Sequence, residues 1–232
     1  MPTSSIHAVS NATKQDLMDF KVKSVVKVIY NGIDFERYDR LDVKKDYKNY
    51  VIYIGRLVFY KNLDIVITSF GEVLKKLPDA KFIIVGTGPM RQKWEKLVSE
   101  LGLDQNIKFT GHISHEKKLE LLGQSSALLL PSLVEGFGLV LLEAFAMCKP
   151  VLVANVRSYK EIVEEGTDGF MLTAYDIDAW SEKIIFLLRN KTISQKMGCQ
   201  GRLKAENKFT MHNVADQTES LYFELCSKSK ST

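Results

Sequence analysis

The chain has 232 residues, 45% of them hydrophobic and 26% charged, and 32 Lys and Arg against 28 Asp and Glu leave a formal net charge of +4. This composition excludes a mainly disordered chain, and the length suits one large domain with extensions or two small ones. Cations are interspersed with acids, which argues against a nucleic-acid reader, and the three scattered cysteines form neither a disulfide framework nor a zinc pattern.

Taken from the start, Met1 to Ser5 show no basic segment followed by an apolar one, so no secretion leader is visible. Ile6–Ser10 and Val25–Ile29 read as strands around a helix over Lys14–Phe20, too few elements to bury a core alone. From Val51 onward short apolar runs recur at Val51–Ile54, Lys81–Val85, Ile107–Phe109, Ala127–Leu130, Val151–Val153 and Phe170–Leu172. They lack polar alternation, which is how strands covered on both faces read. Between them, Leu63, Val66, Ile67, Phe70, Val73, Leu74 and Leu77 repeat at helical spacing, as do Trp94, Leu97, Val98 and Leu101. The alternation predicts an α/β fold, a parallel sheet with helices on both faces and right-handed crossovers.

Punctuation marks the ends. Lys76-Leu-Pro-Asp79 closes the first long helix, Gly102 caps the second, and Ser114 or Ser181 opens a later one. A terminal amphipathic helix is expected over Thr210–Leu225, with a frayed tail over Ser227–Thr232. The longest apolar run, Leu139–Cys148, is interrupted by Glu143 and is too short to span a bilayer. A reducing, cytoplasmic setting is the expectation.

Open parallel sheets bind ligands at the carboxyl ends of their strands, which directs attention to three loops. Gly55–Asn62 places Arg56 and Lys61 beside a helix start, an arrangement that suits a phosphate; the alternative is two solvated charges. Gly86-Thr-Gly88-Pro89 follows a strand and opens a helix, but Arg91 stands where a dinucleotide fingerprint needs its third glycine. That leaves a tight turn allowing close backbone approach to some ligand.

The third loop, Pro131–Gly138, ends in Glu135-Gly136-Phe137-Gly138 and leads into an apolar helix carrying Glu143, a carboxylate that needs a partner. Two acids at a cleft lip and one or two turns inside suit vicinal hydroxyls; a capping acid and a structural ion pair are the alternative. Asp176-Ile-Asp178 spells a metal-binding DxD, yet directly before a helix it reads as an N-cap.

Together, VIYNGID (Val28–Asp34), IGRL with K61 and N62, IVGTGP (Ile84–Pro89), FTGHISHEKKLELL (Phe109–Leu122), the segment Leu128–Asn155 and EIVEEGTDGFML (Glu161–Leu172) resemble the retaining glycosyltransferases of family 4, in the correct order. The resemblance implies the C-terminal, Rossmann-like half of a GT-B fold, with residues 1–30 the remnant of an acceptor domain and linker. Residues 31–207 would be the nucleotide-sugar-binding domain, and 208–232 a crossing helix and tail.

It further implies transfer of a hexose from a nucleotide diphosphate sugar with retention. Arg56 and Lys61 would hold the diphosphate, and Gly136, Phe137 and Gly138 would present amides to it. Glu135 would contact the sugar and Glu143 the ribose. Gly86 and Gly88 would approach the donor closely, and His112, Ile113 and Lys117 would face the base. No metal or cofactor is implied. The acceptor, a sugar or lipid-linked molecule, would be bound by the absent domain. Peripheral membrane contact and self-association through the exposed terminal helix are compatible with the family.

Two departures are notable, Cys148 at a position where many members have a small residue, and Arg157-Ser158 in place of a glycine pair, so that Arg157 is expected to restrict or re-aim the donor pocket. The alternatives are a nucleotide-sugar-binding module that is inactive without a separate partner chain, and a nucleotide-sugar epimerase. Base, sugar, acceptor and linkage stay open.

Overall fold

The computed structural model describes residues 5–41 and 43–229; of the expected frayed tail, 230–232 lie outside the described residues. Eight strands are described: β1 (Ser5–Ala8), β2 (Val25–Val28), β3 (Tyr50–Ile54), β4 (Lys81–Val85), β5 (Ile107–Gly111), β6 (Ala127–Leu130), β7 (Val151–Ala154) and β8 (Gly169–Leu172). The helices are α1 (Asn11–Asp19), α2 (Phe35–Asp39), α3 (Leu63–Lys76), α4 (Arg91–Glu100), α5 (His115–Gln124), α6 (Leu139–Ala146), α7 (Ile177–Arg189), α8 (Lys191–Lys208) and α9 (Met211–Ser229).

Six strands form one parallel sheet in the order β5-β4-β3-β6-β7-β8. The chain winds outward from β3 to β5, then returns to place β6 on the other side of β3, so the topological switch lies between β3 and β6. α3 and α4 pack together on one face and α6 lies on the other, as right-handed crossovers running in opposite directions from β3 require. α7 joins the first layer against α3, and α8 joins the second against α6. Every residue of β6 and β7 is buried, which is the physical reason their sequences show no alternation. On α3 the predicted stripe is buried at Leu63, Val66, Ile67, Phe70 and Val73, each contributing about 1.5–3 kcal/mol of transfer free energy.

Several boundaries differ from expectation: α1 starts at Asn11 instead of Lys14, and α9 continues through Ser229, past the expected start of the frayed tail at Ser227. Ser181 does not open a helix: α7 begins at Ile177, capped by the Asp176 carboxylate accepting from Ala179 N, and Ser181 is buried inside it, donating to the Asp178 carbonyl. The N-cap reading of Asp176 therefore holds. The 18-residue α8 was not expected from the sequence; it is weakly amphipathic and is held by packing against α6.

β1 and β2 pair in parallel as a separate two-stranded sheet, with α1 between them. The chain enters the main domain beside its exit, where Ile33 and Thr210 form a bridge. α9 then runs back along β2, with Lys27 Nζ 3.0 Å from a Glu224 oxygen, and leaves Tyr222 and Phe223 exposed. Among the described residues, no helix is long and apolar enough to cross a membrane.

Candidate functional site

The strand ends on the β3–β4–β5 side open into a cleft of about 610 Å³, walled by the ends of β3, β4 and β5 and the loops that follow. Arg56, Gly86, His112 and Ile113 line it as expected, together with Thr87, Ser114, His115 and Lys118, which sequence reasoning missed. Arg56 is exposed; its guanidinium donates to the Tyr60 hydroxyl at 2.9 Å, while its carbonyl accepts from the Tyr53 hydroxyl at 2.9 Å.

Gly86 and Gly88 have φ of +134° and +158°, and a Cβ on either would fall 1.9 Å from the Gly55 carbonyl oxygen or 2.3 Å from that of Leu57. The close approach they permit is to the protein itself. Leu57 N donates to Thr87 O at 2.8 Å and Met90 N to Leu57 O at 2.9 Å, stitching the β3 and β4 loops together. Of the two glycines expected to approach the donor, Gly86 lines the cleft and Gly88 does not.

Lys117, which the resemblance places toward the base, stands apart from the cleft. Its side chain is half-exposed and pairs along its own helix with Glu120 at 2.9 Å, and it is absent from the cleft wall. Lys118 takes that place. Its ammonium donates to both oxygens of Glu143 at 2.7 Å, with both side chains largely covered. The partner required by Glu143 is thus found, and helical register was its signal, since Lys118 lies one turn before buried Leu122. Tyr38 stands beside Glu143; burial first, then the negative charge of Glu143, pushes its phenol above the ordinary range, so it stays a neutral donor.

At the switch itself, Lys61 and Glu135 form a largely covered ion pair, tying the β3 loop to the β6 loop, where Leu133 N also donates to Tyr60 O at 2.8 Å. This pair is not in the wall of that cleft; it stands at the other end of the Gly55–Asn62 loop from Arg56. The Tyr159 hydroxyl lies 3.4 Å from the Glu135 carboxylate. Burial, and after it the Glu135 charge, pushes Tyr159 far above its usual value and raises Tyr53 for the same reasons. Both phenols therefore remain protonated beside a carboxylate.

Gly138, at φ +94°, turns the chain into α6, whose first amides point out of the helix start. The Phe137 side chain is buried, with its ring 6.1 Å from Tyr30 and 5.7 Å from Phe209, so only its backbone is available to a ligand. Gly136 has open space, since a Cβ at this position would find its nearest neighbour, Thr13 Oγ1, at 3.9 Å.

The two departures also resolve. Arg157 is not in the wall of the β3–β4–β5 cleft; its guanidinium is paired with Asp16 of α1. Cys148 has φ +55° just past the end of α6, a left-handed position where a small residue relieves strain, far along the helix from Gly138. Among the described residues, no three His, Cys, Asp or Glu side chains gather as a metal site.

A family profile described as "Glycosyl transferases group 1" matches residues 34–204. The chain is 28% identical over 231 residues to the N-acetyl-alpha-D-glucosaminyl L-malate synthase of Bacillus anthracis, covering 96% of this chain and 59% of that protein. It is 27% identical over 175 residues to the alpha-D-kanosaminyltransferase of Streptomyces kanamyceticus, covering 75% and 45%. The chain thus spans about half the length of these curated relatives.

Among solved structures, a mutant of Staphylococcus aureus TarM in complex with Fondaparinux, alpha-GlcNAc-glycerol and UDP superposes with a TM-score of 0.85 at 21% identity, covering 94% of this chain and 43% of that one. Anabaena HepE in complex with UDP gives 0.83 at 22%, covering 95% and 64%. At these identities the likeness shows the fold, the helix-flanked parallel sheet found in GT-B proteins.

Proposed function

The chain belongs to the glycosyl transferases group 1 family, and from that premise we propose that it is the C-terminal, nucleotide-sugar-binding part of a retaining hexosyltransferase of family 4. Residues 31–207 hold the donor, while 1–30 and 208–232 join them to an acceptor-binding domain. What carries the reading is one loop after β3 that supplies Arg56 to the cleft at one end and Lys61 to the Glu135 pair at the switch point at the other.

In this reading the nucleoside enters the β3–β4–β5 cleft, with the base against His112 and Ile113 and the ribose diol toward Glu143, which Lys118 orients. The diphosphate lies between Arg56 and the first amides of α6, and the sugar reaches Glu135. As the bond from the anomeric carbon to the diphosphate breaks, negative charge grows on phosphate oxygen and positive character on the sugar ring. Arg56, Lys61 and the helix start stabilise the first without a metal, and the Glu135 carboxylate, shared with Lys61, accepts from sugar hydroxyls. The neutral Tyr159 phenol fixes that carboxylate.

The test is calorimetric titration of the folded chain with UDP, GDP and ADP. Micromolar to millimolar binding of one of them is expected, and no heat from any would sink the proposal.

A second reading is a donor-binding module that needs a separate partner chain. A transfer assay on the chain alone separates the two, since efficient transfer would exclude a dependent module. Tyr222 and Phe223, exposed on α9, offer a face through which self-association is expected.

A further inference from the structure

α1 is held in an unusual way. None of its residues is fully buried, and it packs on β1 and β2 of the small sheet. Polar ties join it to the main domain. Glu161, which lies in the single 3₁₀ turn after β7 and some 150 positions away in sequence, accepts from Asn11 N at 2.8 Å, Asn11 Nδ2 at 2.9 Å and Ala12 N at 2.9 Å. Its two oxygens thereby satisfy amides that the first turn of a helix leaves unpaired. Tyr30 accepts from the other Asn11 Nδ2 hydrogen at 2.8 Å, and the Arg157–Asp16 pair straps the same helix a turn later.

What α1 then touches is the loop of the proposed donor site. Ser10, its N-cap, donates to the Gly136 carbonyl at 2.8 Å, and Thr13 Oγ1 lies 3.4 Å from the same oxygen. The neighbouring Glu135 carbonyl accepts from Ser158 Oγ at 2.7 Å. Two consecutive carbonyls are therefore held, one by Ser158 directly and one by Ser10 through a helix that Glu161 holds. Residues 158–161, 10–13 and 135–136 close a ring.

From this ring we infer that Glu161 is a positioning residue: by capping α1 it presses Ser10 and Thr13 against the Gly136 carbonyl and so sets the backbone that carries Glu135 and the start of α6. Glu161 touches no substrate in this scheme. The inference rests on the donor-site reading for its functional consequence, but not for its structural content. It gives the N-terminal unit a direct mechanical line to the sugar-facing carboxylate, so that displacement of α1 is felt at Glu135.

The experiment uses the whole chain with Glu161→Gln, which keeps the volume and removes the charge, and a second variant, Ser10→Ala with Thr13→Val, which leaves the α1 cap by Glu161 in place. Amide hydrogen exchange needs no ligand. Exchange over residues 135–139 is expected to speed at least tenfold in both variants, while β6 and β7 keep their protection. Unchanged exchange in that loop overturns the inference, as does equal loosening of the strands.

The second readout takes whichever of UDP, GDP or ADP binds best, with its monophosphate and its glucose conjugate. The monophosphate is expected to keep its affinity within about twofold, and the glucose conjugate to weaken about tenfold, with the combined triple variant no worse than either parent because both act on one route. Equal weakening of all three ligands, or of none, overturns the inference. If no nucleotide binds the unaltered chain, the donor-site reading fails, and the exchange experiment still decides the positioning role.

Discussion

The two wings of the sheet end in loops of similar lettering and behave differently. On the β3–β4–β5 side the strand ends stay uncovered and enclose the cleft, and the Gly86-Thr-Gly88 turn is spent on stitching two loops together. On the β6–β7–β8 side the strand ends are crowded by α1, and the Glu135–Gly138 turn is gripped by Ser158 and Ser10, with Gly138 starting a helix. A Gly-x-Gly after a parallel strand thus has no single meaning. In one wing its glycines are required by neighbouring backbone, in the other by the turn into a helix, and only the covering elements decide which.

Substitution at Gly86 sharpens this contrast most. Alanine there meets the Gly55 carbonyl at 1.9 Å on a backbone of φ +134°, so Gly86→Ala is expected to lose about 3 kcal/mol or more in urea unfolding. A loss below about 1 kcal/mol would mean the two loops are not stitched as described. Next comes Arg56→Ala. The side chain is exposed, so stability should shift by less than about 0.5 kcal/mol, while nucleoside diphosphate affinity falls by about 1.5–3 kcal/mol. Equal affinity in calorimetry would remove Arg56 from the site.

The adjacent lysines of α5 give a paired test in the same wing. Lys118→Met strands a largely covered Glu143 and is expected to cost about 1–3 kcal/mol of stability, whereas Lys117→Met, which breaks only an exposed pair, should move it by less than about 0.5 kcal/mol. Equal effects would show that the cleft has been assigned the wrong lysine.

The sheet was legible because strands covered on both faces have no solvent side to alternate toward, and because Ser114, Gly102 and Asp176 satisfy their helix ends by local bonds. α8 was not legible, since Gly198 and Gly201 interrupt its pattern; they are there because a Cβ would strike the Cys148 carbonyl at 1.9 Å or the Phe145 ring at 2.3 Å. Packing between distant elements overrode propensity. In the site, Arg56 could be placed by the strand-end rule alone, whereas His112 and Ile113 were reached only through the family resemblance. The ring through Glu161 and Ser10 could not, because it joins residues some 150 positions apart through hydrogen bonds that leave no periodic trace.

The covered wing also carries a pH signature. Lys149, just before β7, is fully buried, donates to the Asp46 carbonyl and sits 3.6 Å over the Tyr47 ring; burial lowers its ammonium to about 7. Above that pH the folded chain has released a proton that the unfolded chain still holds up to the ordinary lysine range. Stability should therefore rise with pH above about 7, by roughly 1 kcal/mol per unit at first, and Lys149→Met should flatten the rise. A parallel pH profile in the variant would assign the slope elsewhere.

The smallest expected effect is the most pointed for the comparison. Gly136 looks as indispensable in sequence as Gly86, yet a Cβ there meets only Thr13 Oγ1 at 3.9 Å, ordinary van der Waals contact. Gly136→Ala should leave unfolding free energy within about 0.5 kcal/mol of the parent, because the ring holds this residue by its carbonyl oxygen and makes no demand on its α-carbon. A loss of several kcal/mol would mean that the turn needs glycine for its own backbone, and that the grip of Ser10 follows from the shape of the loop instead of setting it.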